Sequence, residues 1–267
     1  MERDSQLQQT VVPDRTSVPV IQRDPETVGE TTAERLFRNY NTYSRRPTVR
    51  DVHARKVMFR AFRRVLGPWL PRNPSARILD VACGEGALLA FLYDAGYVNL
   101  DGYDLSPENV AICHELGLKF VRRFDALQLT GFLSDRRYDA IFAIDIIEHL
   151  PKSRIVGFME MIRSLLLPGG YVVIQTPNMG SLYGCYHRYN DLSHEFGLTE
   201  KTVLDLFMMS GFRPNAIAIR AAWNATTLLG RFREVYVWLL HHVLFAGEGP
   251  SRPRIPTKNL LVRGSIE

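Results

Sequence analysis

The 267-residue chain predicts an α/β fold, a doubly wound parallel sheet with helices on both faces. Three observations carry this. An apolar run breaks into a glycine turn and a helix start at 77–89, an acid ends a second short strand about 20 residues later, and further strands then alternate with helices. In the first, Arg77-Ile78-Leu79-Asp80-Val81-Ala82-Cys83-Gly84-Glu85-Gly86-Ala87-Leu88-Leu89 reads as buried strand, turn and helix in succession. Glycines at 84 and 86 remove Cβ atoms that would keep a ligand away from backbone N–H groups. A glycine turn alone is a weak sign, because many strand-to-helix corners use glycine for steric reasons.

The second element strengthens it. Leu100-Asp101-Gly102-Tyr103-Asp104-Leu105-Ser106-Pro107 ends a strand on Asp104, placed to accept hydrogen bonds from ribose hydroxyls. Ser106 caps the next helix and Pro107 takes its first position. A third strand end lies in 120–126. Tyr138 to Asp145 reads as a fourth strand, leading into Ile146-Ile147-Glu148-His149-Leu150-Pro151. Apolar spacing predicts a helix over 152–167, ended by Pro168-Gly169-Gly170, and then a fifth strand rich in β-branched residues over 171–178. Thr199 is the expected cap of an amphipathic helix ending at Gly211-Phe212, followed by strands near 216–220 and 259–263.

Composition frames these elements. Five stretches are expected: a disordered polar tail at 1–30, a helical extension at 31–75, a core at 76–220, a helical insertion at 221–258, and the last strand at 259–267. The tail lacks the apolar centre of a secretory signal. Cys83, Cys113 and Cys185 show no paired spacing, which argues against a disulfide framework or a cysteine-rich zinc site and implies a reducing, cytoplasmic setting. The net charge of +5 concentrates between Arg45 and Arg77. Over 50–70 an apolar stripe (Val52, Met58, Phe59, Phe62, Val65, Leu66) opposes Arg55, Lys56, Arg60, Arg63 and Arg64. A solvated basic face is the favoured reading over an anionic partner or membrane surface, and nucleic acid is the weaker candidate partner.

The segment Asp80-Val81-Ala82-Cys83-Gly84-Glu85-Gly86 resembles the first motif of the class I S-adenosylmethionine-dependent methyltransferases, Asp-x-Gly-x-Gly-x-Gly, and the resemblance extends in order over about residues 75 to 215. It implies a Rossmann-like, mostly parallel seven-stranded sheet with a helical N-terminal extension and a C-terminal helical insertion. It also implies S-adenosylmethionine held by Asp80, Ala82, Gly84, Gly86, Asp104, Leu105, Asp125, Ala126, Ile144 and Asp145. Ala82 departs from the motif's first glycine and is expected to keep an ordinary φ, slightly narrowing the turn. Asp80 would repel a pyrophosphate but suits a ligand carrying an amino group, which demotes a dinucleotide. Tyr40 and Tyr43 fall where the family's N-terminal segment folds over the cofactor, as lid residues or as packed aromatics.

Asp145, Glu148 and His149 stand at i, i+3 and i+4, on one side of the chain if it is helical. They resemble the Glu-x-x-Glu-His segment of small-RNA 2′-O-methyltransferases and ubiquinone-pathway O-methyltransferases, where a downstream histidine completes a divalent-cation site. Here His194 is the matching member, His187 the reserve, and Asp145 replaces the longer Glu. The resemblance implies Mg²⁺ at Asp145, Glu148, His149 and His194; the metal-free alternative makes His149 or His194 a general base beside Glu148. The stretch 187–212 resembles a subgroup among bacterial polysaccharide methyltransferases, implying a sugar hydroxyl in polysaccharide or glycolipid assembly as acceptor. A quinone or phenol acceptor, RNA 2′-O-methylation and a non-catalytic interaction protein are the alternatives. The apolar helix at 232–245 in the insertion is too short to span a bilayer. It is expected to cap the acceptor site or join a homodimer, with a peripheral membrane contact behind these. His241 and His242 are adjacent, face different ways and do not suggest a two-histidine metal site.

Overall fold

The computed structural model describes residues 35–37, 48–129, 133 and 135–267; the expected tail, Tyr40 and Tyr43 lie outside them. A seven-stranded sheet runs in the order β3-β2-β1-β4-β5-β7-β6. Its strands are β1 (Arg77–Val81), β2 (Asn99–Asp104), β3 (Val121–Arg123), β4 (Tyr138–Ile144), β5 (Leu166–Pro177), β6 (Ile217–Ala221) and β7 (Asn259–Ser265). All neighbours pair in parallel except β7, which runs antiparallel to both β5 and β6. The chain steps outward from β1 to β2 and β3, then returns to place β4 on β1's other side. The ligand crevice of an open α/β sheet lies at such a reversal, beyond the strands' carboxyl ends.

α-Helices flank the sheet, among them α1 (Val52–Val65), α2 (Ala87–Asp94), α3 (Pro107–Glu115), α4 (Ile155–Ser164), α5 (Gly184–Tyr189), α6 (Glu200–Met209) and α7 (Leu228–Leu244). Their starts follow the sequence signals. Asp51 accepts from the Ala54 amide, Ser106 from Asn109, and Thr199 forms a capping box with Thr202. The core divides into one cluster on each face of the sheet, and the central strands contribute to both because both sides are covered. On one face Phe59 and Phe62 of α1 meet the Phe91 ring of α2 at centroid distances of 5.5 and 5.9 Å. Burying a ring such as Phe91 contributes about 2–3 kcal/mol.

One junction differs from expectation. The helix predicted over 152–167 starts as a 3-10 turn, Lys152–Arg154, and ends at Ser164. Pro168-Gly169-Gly170 does not stop a helix. It bulges from the interior of β5, where the register jumps from Tyr138 opposite Leu166 to Ala140 opposite Tyr171. The cause is the Tyr138 amide, which donates to the Leu165 carbonyl at 2.9 Å and draws the chain into the sheet early. Gly169 has φ +77° with open space about its Cβ position, whereas a Cβ on Gly170 would lie 2.8 and 2.9 Å from the Leu167 and Tyr138 carbonyl oxygens. Gly169→Ala is therefore expected to cost about 1 kcal/mol and Gly170→Ala about 3 kcal/mol in denaturant unfolding. Equal losses would contradict the bulge.

Candidate active site

The turn after β1 is tied to its surroundings on three sides. The Cys83 amide donates to the Tyr103 carbonyl at 3.0 Å, and the Gly84 amide to Asp104 Oδ2 at 2.8 Å. The Cys113 thiol lies 3.4 Å from the Gly84 carbonyl. A Cβ on Gly84, at φ +56°, would meet nothing within 4 Å, so the turn fronts open space. Ala82 overturns its expectation: it takes φ +56° in place of an ordinary value. The turn therefore keeps a left-handed backbone there at a steric cost of about 1–2 kcal/mol.

Asp104 is almost fully buried and does more than face the crevice. Its Oδ2 accepts from Gly84, and its Oδ1 from the Ser106 amide and the Asn109 side chain, each at 2.9 Å. A carboxylate offers about four acceptor positions, so Asp104 keeps some capacity beyond these bonds. Asp80 lies behind the turn, 2% exposed. Burial, with the Asp104 carboxylate adding to it, pushes its pKa well above the usual carboxylate range. Leu105 is exposed at the end of β2. Asp125 caps the 3-10 turn Ala126–Gln128, accepting from Leu127 at 2.9 Å.

Ile144 ends β4, and Asp145 turns the chain away at φ +52°. The predicted alignment of Asp145 with Glu148 and His149 needs a continuous right-handed helix; the left-handed residue followed by a 3-10 turn, Ile147–His149, prevents it. Asp145 instead accepts from the Gln175 side chain at 3.1 Å. The structure does bring Glu148, His149 and His194 together, with one ligand atom from each within 4.8 Å of the others. The Thr176 hydroxyl donates to Glu148 Oε2 at 3.0 Å. His194 Nδ1 donates to the His187 carbonyl at 3.0 Å, so His187 serves through its backbone. Burial holds the His194 pKa below the usual range.

His149 is set by two residues the sequence did not single out. The Ser193 hydroxyl donates to Asp191 Oδ1, so the 2.9 Å contact between Ser193 Oγ and His149 Nδ1 is a bond donated by the imidazole. Both histidines thus carry their proton on Nδ1 and offer Nε2 as acceptor. Burial raises the Asp191 pKa, but the Ser193 hydroxyl and amide, with both histidines nearby, outweigh it and hold the carboxyl low. The Asp-x-Ser spacing is a readable local turn, with the Ser193 amide 3.0 Å from Asp191. Its reach to His149 is not local and left no signal. Arg188 fixes this loop by donating to the His194 and Glu195 carbonyls, and the Glu195 amide donates to the Glu148 carbonyl at 2.8 Å. Glu85, between the glycines, accepts from the Thr48 hydroxyl and the Val49 amide at 2.7 and 2.8 Å. Phe37 stands edge-on to His149 at 5.8 Å. His241 and His242 bond to different carbonyls, those of Pro253 and Trp238.

The fold is a doubly wound α/β sheet with a glycine turn, buried Asp80 and Asp104, and a polar cluster beyond β4, all toward the carboxyl ends of the strands. The chain matches the methyltransferase domain over residues 51–218 and belongs to that family, within the class of S-adenosylmethionine-dependent methyltransferases. A ubiquinone biosynthesis O-methyltransferase of Xylella fastidiosa is 30% identical over 107 residues, covering 39% of this chain and 42% of that protein. The chain thus matches less than half of that relative's length. A SAM-dependent methyltransferase from Archaeoglobus fulgidus shares the fold at TM-score 0.59 and 21% identity, over 79% of this chain and 94% of the other. Magnesium protoporphyrin IX methyltransferase from Synechocystis PCC 6803, with bound SAH, does so at 0.56 and 16%, over 88% and 98%.

Two expected outcomes test the turn. Ala82→Gly relieves the left-handed alanine and is expected to stabilise the protein by about 1 kcal/mol in chemical denaturation; a loss would show that the alanine is unstrained. A carboxyl whose pKa rises on folding supports the fold while protonated and loses that contribution as pH climbs through the raised value. Asp80→Asn should therefore be more stable than wild type, by a margin that grows as pH rises above the ordinary carboxylate range, about 4, toward the raised value. A margin independent of pH would remove the buried charge as its cause.

Proposed function

We propose that the protein transfers a methyl group from S-adenosylmethionine to a hydroxyl of a small-molecule acceptor, with Glu148, His149 and His194 at the reacting end. The observation that carries this reading is the convergence of those three groups beyond β4, each held by its own hydrogen bond. The residues of the turn fit the donor. Gly84 fronts open space, Asp104 retains acceptor capacity for ribose hydroxyls, and the buried Asp80 carboxylate suits an ammonium group, which would lower its pKa again. Leu105, Asp125, Ala126 and Ile144, at or just beyond the carboxyl ends of β2, β3 and β4, are the adenine and methyl-end contacts in this reading. When bound, the donor supplies a methyl group made electrophilic by its sulfonium.

The protein's own task is positioning and proton removal. In this reading His149 would take the proton of the acceptor hydroxyl as the methyl group is transferred. The imidazolium formed donates from Nδ1 to Ser193, whose hydroxyl donates in turn to the Asp191 carboxylate. His149→Ala is expected to lower kcat by about 100-fold or more, with donor affinity unchanged in calorimetry. Asp104→Ala should do the reverse, weakening donor binding first. Full turnover by His149→Ala would end the base assignment.

The same convergence favours a second reading, a divalent cation held by Glu148, His149 and His194. With Asp145 engaged by Gln175, two imidazoles and one carboxylate remain. That set suits Mn²⁺ or Zn²⁺ better than the expected Mg²⁺. Chelation that stops turnover, reversed by Mn²⁺ or Zn²⁺, would establish the cation; unchanged turnover would leave His149 as the base. For the acceptor, the name of the Xylella relative supports a phenolic hydroxyl of the quinone type, and the stretch 187–212 supports a sugar. Transfer of labelled methyl to a panel of catechols and oligosaccharides separates the two, and labelling of neither would refute the hydroxyl reading.

A further inference from the structure

The side that α7 turns to solvent is apolar, where a surface helix is ordinarily polar. Leu228, Phe232, Val235, Tyr236, Leu239 and Val243 recur at helical spacing, and each is 55% to 75% exposed. The helix faces the body with polar groups instead. His241 is 1% exposed, and Glu234 pairs with Arg64 of α1. The result is an open apolar stripe about 25 Å long, an arrangement that marks an interaction surface.

Charge identifies what covers it. Arg231 and Arg233 are exposed on α7, one toward each flank of the stripe, and the helix's one acid is the paired Glu234. Arg64 also donates to the Ala225 carbonyl just ahead of α7, so α1 is its neighbour. α1 contains no acidic residue and exposes Lys56, Arg60 and Arg63. A second copy meeting this surface would bring positive charge against positive charge. A plane of phosphates over an apolar layer complements both parts at once, with arginines at the flanks reaching the headgroups. No helix among the described residues is long and apolar enough to cross a membrane, which matches a helix lying in the interface.

We propose that α7 and α1 together form a docking surface for an anionic phospholipid bilayer. The α7 stripe enters the headgroup boundary, and Lys56, Arg60 and Arg63 meet the lipid phosphates. The proposal does not depend on which hydroxyl the site methylates. It is tested by co-sedimentation of the full chain with vesicles of phosphatidylcholine alone and of equimolar phosphatidylglycerol and phosphatidylcholine. Binding is expected to be about 100-fold stronger to the anionic vesicles and to weaken with added salt. Phe232→Ser with Leu239→Ser should abolish it without lowering the unfolding midpoint, since both side chains are already exposed. Lys56→Gln, Arg60→Gln and Arg63→Gln together should remove the preference for anionic lipid. Absence of binding to either vesicle, or undiminished binding by the Phe232/Leu239 variant, would overturn the proposal. So would a wild-type dimer that this variant converts to monomer, because the stripe would then be an interface between copies.

Discussion

The Asp104 carboxylate holds the ligand end of the sheet together. From one buried position it fixes the glycine turn through the Gly84 amide, the exit of its own strand through Ser106, and α3 through Asn109. Three elements from two successive β-α units therefore share a single anchor, and the turn's open face is set by it. Burial raises its pKa above the usual carboxylate range, and these bonds offset part of that rise. A residue that first suggests a ribose contact is also the structural pin of the crevice.

The cluster of Glu148, His149 and His194 is assembled differently, by a loop folded back onto the exit of β4. Arg188 and the Glu195 amide bring His194 to Glu148 and His149, while Ser193 sets the imidazole of His149. The bonds that place the loop also determine which nitrogen each histidine offers. Positioning and protonation state are thus one problem here, solved by residues 44 positions away in the chain for the Ser193 contact.

Strand-turn-helix order was legible because it rests on local signals. Ser106, Pro107 and Thr199 mark their helices, and apolar runs mark β1, β4 and β5. The departures arise where a distant partner overrides a local preference. Tyr138 draws Leu166 into the sheet ahead of the Pro-Gly-Gly bulge, and β5 supplies the Gln175 carbonyl and side chain that hold Asp145 in its left-handed turn. Glu148, His149 and His194 were readable as types and spacings. The Asp191 to Ser193 to His149 chain was not, since hydrogen bonds between separated segments leave no periodicity in sequence. The charged face of α1 was visible from the start, but not that Arg64 on it pairs with Glu234 on the inward side of α7.

Glu85 gives the glycine turn a second function. By gripping Thr48 and Val49 it fastens the chain just ahead of α1 to the turn after β1, while Phe37 stands edge-on to His149. The start of α1 therefore takes its position from the turn after β1, and a substitution at Glu85 would be felt in a helix to which the turn does not itself belong.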